Sequence, residues 1–265
     1  MKTIDILYKR FGFTHNQTTT IPTRWDELSA AQLVLIARNY MDNVDETEML
    51  AGLLGIKQSV ARMVDPYQRF CLARELGFMD DFRPHYAFVL KTVKKLSAPR
   101  PRLEGMTFGQ FMFVDTYYEK YLQYSELRDL DKFIACLYLP EGKQFEQEFI
   151  DYRADYVQLF LLQEEKTAIS LNYRLVKEWI CERYPLLFRK PKESQEQTAT
   201  VADPKEQQEQ AATVADTKAQ QGSNWVRVFE SLVADDIVNQ DKYANLPVHF
   251  VFRYLTQKLK ENGRR

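Results

Sequence analysis

The sequence predicts a mainly α-helical fold: a multi-helix body with a small N-terminal β-hairpin, a disordered linker and a C-terminal helical module. Three observations carry that expectation. Apolar side chains recur at intervals of three and four through most of the chain, the spacing of one helix face. Glycine is scarce, at 9 of 265 residues, which disfavours Gly-rich phosphate loops and many-turned all-β folds. The apolar fraction of 45% includes 17 Phe, 15 Tyr and 3 Trp, enough to fill a sizeable helical core.

The exception comes first. Ile4, Ile6 and Tyr8 alternate with Thr3, Asp5 and Lys9, a period of two, with Leu7 as the exception, that reads as a strand. Gly12 and the polar run Thr14 to Gln17 are the expected turn, and the β-branched Thr18 to Ile21 the returning strand. Residues 1–24 are therefore assigned to a hairpin.

Helices are expected from there on. Ser29 and Gln32 have the spacing of a capping box, and Leu33, Ile36, Ala37 and Tyr40 follow on one face. Further helices are expected over about 45–54, stopped by Gly55, over about 58–64, and from Pro66 through Phe70, Cys71 and Leu76. Pro99 and Pro101 break the body, giving sub-blocks 25–96 and 106–189 within a helical region 25–189. Thr107 and Gln110 open the second block with another capping box. Stripes then run through Phe111 to Leu122, Leu127 to Tyr138, Phe145 to Phe160 and Ala168 to Tyr184.

Residues 190–223 differ in kind. They are rich in Gln, Glu, Ala, Thr and Lys, hold no aromatic, and contain a duplicated segment starting at Gln195 and again at Gln208. Such a tract cannot bury enough apolar area to offset its ordering entropy and reads as a linker. The module 224–265 follows, with Trp225, Phe229, Leu232 and Val233 on one face, a last helix from Pro247, and a basic tail, Arg264-Arg265. A module this small is expected to dock on the body or on a partner.

Composition limits the function classes. Lys and Arg total 36 against 37 Asp and Glu, a net charge of −1, without the basic excess of a dedicated nucleic-acid binder. Cys71, Cys136 and Cys181 lie far apart in apolar helical contexts, which points to buried reduced thiols rather than a disulfide or zinc framework. No secretory h-region and no membrane-spanning run is present, so the expected location is the cytoplasm.

Catalytic motifs are missing. The sequence has no GxSxG, P-loop, GxGxxG or HExxH, and neither a cofactor nor a metal site is expected. His15, in the expected loop, His85 and His249 have no His or Cys at ligand spacing. Asp80-Asp81 and Asp235-Asp236 read as solvated turn carboxylates rather than cation ligands. The chain is expected not to be an enzyme.

Two segments suggest recognition instead. Residues 48–65 have the form of a helix-turn-helix, with Lys57, Gln58, Ser59 and Arg62 at the exposed start of the second helix, where a DNA reader would place them; with only Lys57 and Arg62 positive and Asp65 closing the segment, two core helices joined by a glycine cap are the favoured reading and DNA binding the alternative. Tyr117, Tyr121, Tyr124, Tyr152 and Tyr156 cover more than one helix face; a helical aromatic stripe reads first as core, and the enrichment of tyrosine at protein interfaces makes a partner surface the alternative.

Ile21 to Ser29 with Gln32, Leu53 to Ile56 with Val60 and Val64, Leu76 to Phe78, Met106 to Phe111, and Leu130 to Pro140 together span about residues 21–190. In that order they resemble bacteriophage and prophage tail-module proteins, described as tail assembly chaperones or tail-associated structural proteins. The resemblance implies a role in virion assembly without catalysis, acting in the host cytoplasm or incorporated in the virion. Its implied partners are other tail proteins, the tape measure among them, with self-association open and neither membrane nor nucleic acid expected. It also implies that Trp25 anchors the hairpin to the first helices, and it leaves chaperone and virion component as alternatives.

Overall fold

The computed structural model describes residues 1–188, 225–233 and 236–262. The 190–223 linker, Asp235 and the Arg264-Arg265 tail lie outside the described residues. Within them are a two-stranded hairpin, a small three-stranded sheet and eleven α-helices. The chain divides into two compact units that are not collinear with it. One comprises Met1–Glu104, Tyr138–Gln144 and Asp155–Glu182; the other comprises Gly105–Leu137, Phe145–Ala154 and Arg183–Arg265. The break expected near residues 96–106 thus coincides with a unit boundary, and two later segments return to the first unit.

The first unit opens with β1 (Lys2–Arg10) and β2 (Phe13–Ile21), antiparallel in the register Lys2 opposite Ile21 through Arg10 opposite Phe13. The turn is Phe11-Gly12, not the polar run 14–17 expected from the sequence. Phe11 sits at φ +52° and Gly12 at φ +82°, the left-handed pair that a two-residue hairpin turn requires, so Thr14 to Gln17 are free to extend as strand. Ile6 and Ile21 are wholly buried on one face, while Thr3, Asp5, Leu7 and Lys9 line the other face and are exposed.

Helices α1 (Ala30–Asp42), α2 (Glu46–Leu54), α3 (Gln58–Ala61) and α4 (Pro66–Glu75) follow. The Ser29–Gln32 capping box forms as expected: the hydroxyl accepts from the Gln32 amide, and the Gln32 side chain accepts from the Ser29 amide. Gly55 caps α2 at φ +64°. Helix α3 stops at Ala61, short of the expected residue 64, because Val64 forms a β-bridge to Tyr8 and a bridge needs extended backbone. Asp65 caps α4, with Pro66 in its first turn, where the missing amide costs nothing.

Short strands β3 (Thr92–Val93), β4 (Leu96–Ser97) and β5 (Leu139–Pro140) pair in that order and bring residues 139–140 back to the first unit. The second block supplies α5 (Phe108–Tyr124), α6 (Leu127–Leu137), α7 (Ile150–Phe160) and α8 (Gln163–Arg183). In the first unit, buried Asn172 of α8 accepts from the amides of Val89 at 2.7 Å and Leu90 at 3.1 Å, satisfying two donors that no regular element pairs. The Tyr138 hydroxyl donates to the Leu90 carbonyl at 2.5 Å, and burial pushes that phenol far above its ordinary range.

In the second unit, α5 and α6 form an antiparallel pair. The Thr107 hydroxyl caps α5, but Gln110 does not complete the expected box. Its buried amide group donates to the Cys136 carbonyl of α6 at 2.9 Å and ties the two helices together. The C-terminal module supplies α9 (Trp225–Val233), α10 (Gln240–Ala244) and α11 (Val248–Asn262) to the same unit. Phe108 and Phe111 of α5 meet Trp225 and Phe252 edge-on, with centroids 5.0–6.5 Å apart, an arrangement that offsets ring quadrupoles favourably. Phe108 donates its amide to the Leu246 carbonyl at 2.8 Å, and Val248 donates to Met106 at 3.1 Å, so the loop before α11 pairs with the start of α5. The module is part of the second core rather than a separate body.

Candidate functional site

The tyrosine surface is built on the second unit from α5, α6 and the start of α7. Tyr117 stacks on Phe113 at 6.4 Å, and Phe113 packs on Phe145 at 5.6 Å. The ammonium groups of Lys120 and Lys132 each lie 5.6 Å from the Tyr117 ring centre, within range of the ring's negative face. Lys132 then reaches Asp151 at 2.9 Å, and Arg128 reaches the same carboxylate oxygen at 3.4 Å. Three helices are thereby joined through one ring and one carboxylate.

The charges follow that geometry. The hydrogen bond from Lys132 holds the Asp151 carboxyl below its ordinary range, and the same bond holds the Lys132 ammonium above its own. Partial burial raises the phenols of Tyr117 and Tyr121. All remain in their ordinary neutral-pH states. The exposed carboxylate makes the ion pairs weak contributors to stability.

Tyr121 and Tyr124 lie one and two turns beyond Tyr117 on the same face of α5. Tyr124 is 59% exposed and Tyr152, next to Asp151 on α7, is 75% exposed. Leu122 and Leu127 at the α5–α6 corner are also more than half exposed. Four of the five tyrosines therefore belong to one unit. The fifth, Tyr156, belongs to the first unit, where its half-buried ring packs on Phe160 at 4.7 Å.

The second candidate segment forms a helix, a glycine turn and a helix, with Lys57, Gln58, Ser59 and Arg62 all exposed. Its second helix is a single turn, Gln58–Ala61, with Lys57 before it and Arg62 after it.

Sequence reasoning did not find a cavity of about 460 Å³ in the first unit, lined by Arg24, Trp25, Phe78, Asp81, Arg83 and His85 among others. Trp25 is buried, with its indole N–H on the Asp81 carbonyl at 3.0 Å and its ring stacked on Phe82 and edge-on to Phe78. The Arg174 guanidinium covers the Phe82 ring at 3.8 Å. The ring partners of Trp25 come from the segment after α4, where the resemblance implied packing between the hairpin and the first helices. Burial holds the His85 imidazole below its ordinary pKa and thus neutral near pH 7, and its backbone amide donates to Leu175.

His15 lies on β2, not in a loop, because the turn is shorter than expected, and it stacks on Tyr8 at 5.4 Å. His249 bonds the Tyr184 hydroxyl at 2.9 Å. Asp81 pairs with Arg83, and Asp236 accepts from Asn239 and Tyr243. Among the described residues no group of three His, Cys, Asp or Glu could hold a metal ion, and no helix is long and apolar enough to cross a membrane. Cys136 is buried and its thiol is pushed far up, so it packs as a neutral hydrophobe; Cys71 and Cys181 are only half-buried, against the expectation that all three are core.

Comparison with protein-family models, with curated proteins and with solved structures finds no match to this chain.

Proposed function

We propose that the chain is a non-enzymatic assembly or structural protein of a bacteriophage or prophage tail, working through protein–protein contacts with tail or tape-measure proteins. The observation that carries the reading is the tyrosine surface of the second unit. It combines exposed Tyr124 and Tyr152 with the half-buried Tyr117 and Tyr121, beside the Lys132–Asp151 pair. Tyrosine supplies large contact area at low entropy cost, and a rim of Lys and Asp suits a wet, specific interface. The tail assignment itself comes from the residue pattern over 21–190. Co-expression with neighbouring tail genes tests it: the reading expects soluble yield of the tape-measure protein to rise and the two to co-purify. Insoluble tape measure with no complex would sink it.

A DNA-binding regulator is the second reading, favoured by the exposure of Lys57, Gln58, Ser59 and Arg62 around one turn. A one-turn helix presents little to a major groove. Salt-dependent DNA affinity abolished by changing Gln58, Ser59 and Arg62 would establish it in place of the first.

A further inference from the structure

The two edges of the N-terminal hairpin are treated differently by the fold. With a two-residue turn, Arg10 and Phe13 form a hydrogen-bonded pair, and every second residue points its N–H and C=O out of the hairpin. On β1 the middle of that edge is covered. Gln68 of α4 accepts from the Leu7 amide at 3.1 Å and donates to the Asp5 carbonyl at 2.8 Å, and Val64 bridges Tyr8. On β2 the outward residues are Thr14, Asn16, Thr18 and Thr20. All four are exposed, and among the described residues none has a hydrogen bond to its outward backbone groups.

Open edges are ordinarily blunted by a lysine, a proline or a bulge. Between Phe13 and Ile21 there is no Lys, Arg, Asp, Glu, Pro or Gly, and the strand pairs in continuous register along its length. Five of its nine residues are β-branched. The edge is a regular, uncharged template.

We infer that β2 pairs antiparallel with β2 of a second copy across a twofold axis, joining two hairpins into one four-stranded sheet. Self-pairing fits this edge for two reasons. It carries no formal charge, so identical edges meet without repulsion. In addition, one register satisfies it fully: Thr14 opposite Thr20 of the second copy, Asn16 opposite Thr18, and each reciprocally. Gln17 then meets its own copy on the axis in a non-hydrogen-bonded pair. The same register places Phe13, 72% exposed near the hairpin tip, opposite Ile21 of the second copy at the hairpin base. Such an isologous contact closes at the dimer. It is independent of the tail reading.

Sedimentation of the full chain across the micromolar range tests the inference, together with two variants. Asn16→Pro removes one outward N–H and leaves the hairpin's own ladder intact, since that N–H points away from β1. Gln17→Cys places two thiols across the axis, where a non-hydrogen-bonded pair has Cα atoms about 4.5 Å apart, inside the roughly 4.4–6.8 Å range of disulfides. The expected result is a dimer that Asn16→Pro converts to monomer with its far-UV circular dichroism unchanged, and a Gln17→Cys chain that cross-links on oxidation. A monomer throughout, or a dimer that Asn16→Pro spares and Gln17→Cys does not cross-link, overturns it. So does protection of the β2 edge amides that appears only when a foreign tail protein is added.

Discussion

The indole N–H of Trp225 donates to a carboxylate oxygen of Asp115 at 2.7 Å, with both side chains buried. A buried carboxylate is costly to leave without donors, so this bond makes the position of α9 on α5 specific as well as apolar. The aromatic cluster around Phe252 supplies area, and the Asp115 bond supplies orientation. Replacing Trp225 with Phe keeps most of the area and removes the donor. It should lower the stability of the second unit by about 1–3 kcal/mol, read as a shift in the urea midpoint followed by circular dichroism.

Gly109 lets α10 approach α5 closely. A Cβ at that position would lie 3.2 Å from both the Cβ and the carbonyl oxygen of Ala244. Backbone cannot yield as a flexible side chain does, so Gly109→Val should destabilise the second unit by about 1–3 kcal/mol through overpacking. Limited proteolysis should then release the C-terminal helices sooner than in the wild type.

Phe11 occupies a left-handed position at φ +52° and is 85% exposed, a conformation that a bulky side chain adopts at a cost. Asn followed by Gly is the preferred pair for such a turn. Phe11→Asn should therefore stabilise the hairpin, by up to about 1 kcal/mol. Slower hydrogen exchange at the β1–β2 ladder amides would register the gain.

Glu27 gives the first unit an acid limb. Its carboxyl is lowered to about 2 from 4.5, first by the ion pair with the N-terminal ammonium, then by the Thr23 amide. Because the folded value lies below the unfolded one, the contribution is complete above the unfolded pKa and is lost as pH falls from about 4.5 toward 2. Glu27→Gln should flatten the acid limb of a stability-versus-pH curve over that window and leave the curve's shape above pH 6 unchanged.

Local rules carried the helices well. Ser29–Gln32, Gly55, Asp65-Pro66 and the prolines bounding the later helices are signals written within a few residues, and the elements start and stop near them. What those rules missed are long-range decisions. Val64 leaves its helix because Tyr8 bridges it, and Gln110 abandons its cap for the Cys136 carbonyl in the next helix. Asp115 finds its indole 110 residues away. The tyrosine surface was legible as a stripe with more aromatics than one buried face needs. The ions that organise it, Lys132 and Asp151, were not, because charged residues on helical surfaces are common and only packing reveals which of them meet. The cavity beside Trp25 is lined from residues 23–26 and 77–85, which no sequence spacing relates.

In the proposed function the exposed tyrosines of the second unit bind a tail protein. Titration calorimetry of the purified chain against a phage tape-measure protein, with wild type and Tyr124→Ala/Tyr152→Ala compared, tests this most directly. Saturable binding by the wild type is expected, with a loss of roughly tenfold or more in the variant, as for aromatic hot spots, and the thermal melt unchanged. Binding that the double substitution leaves intact, or no binding by a folded wild type, would contradict it.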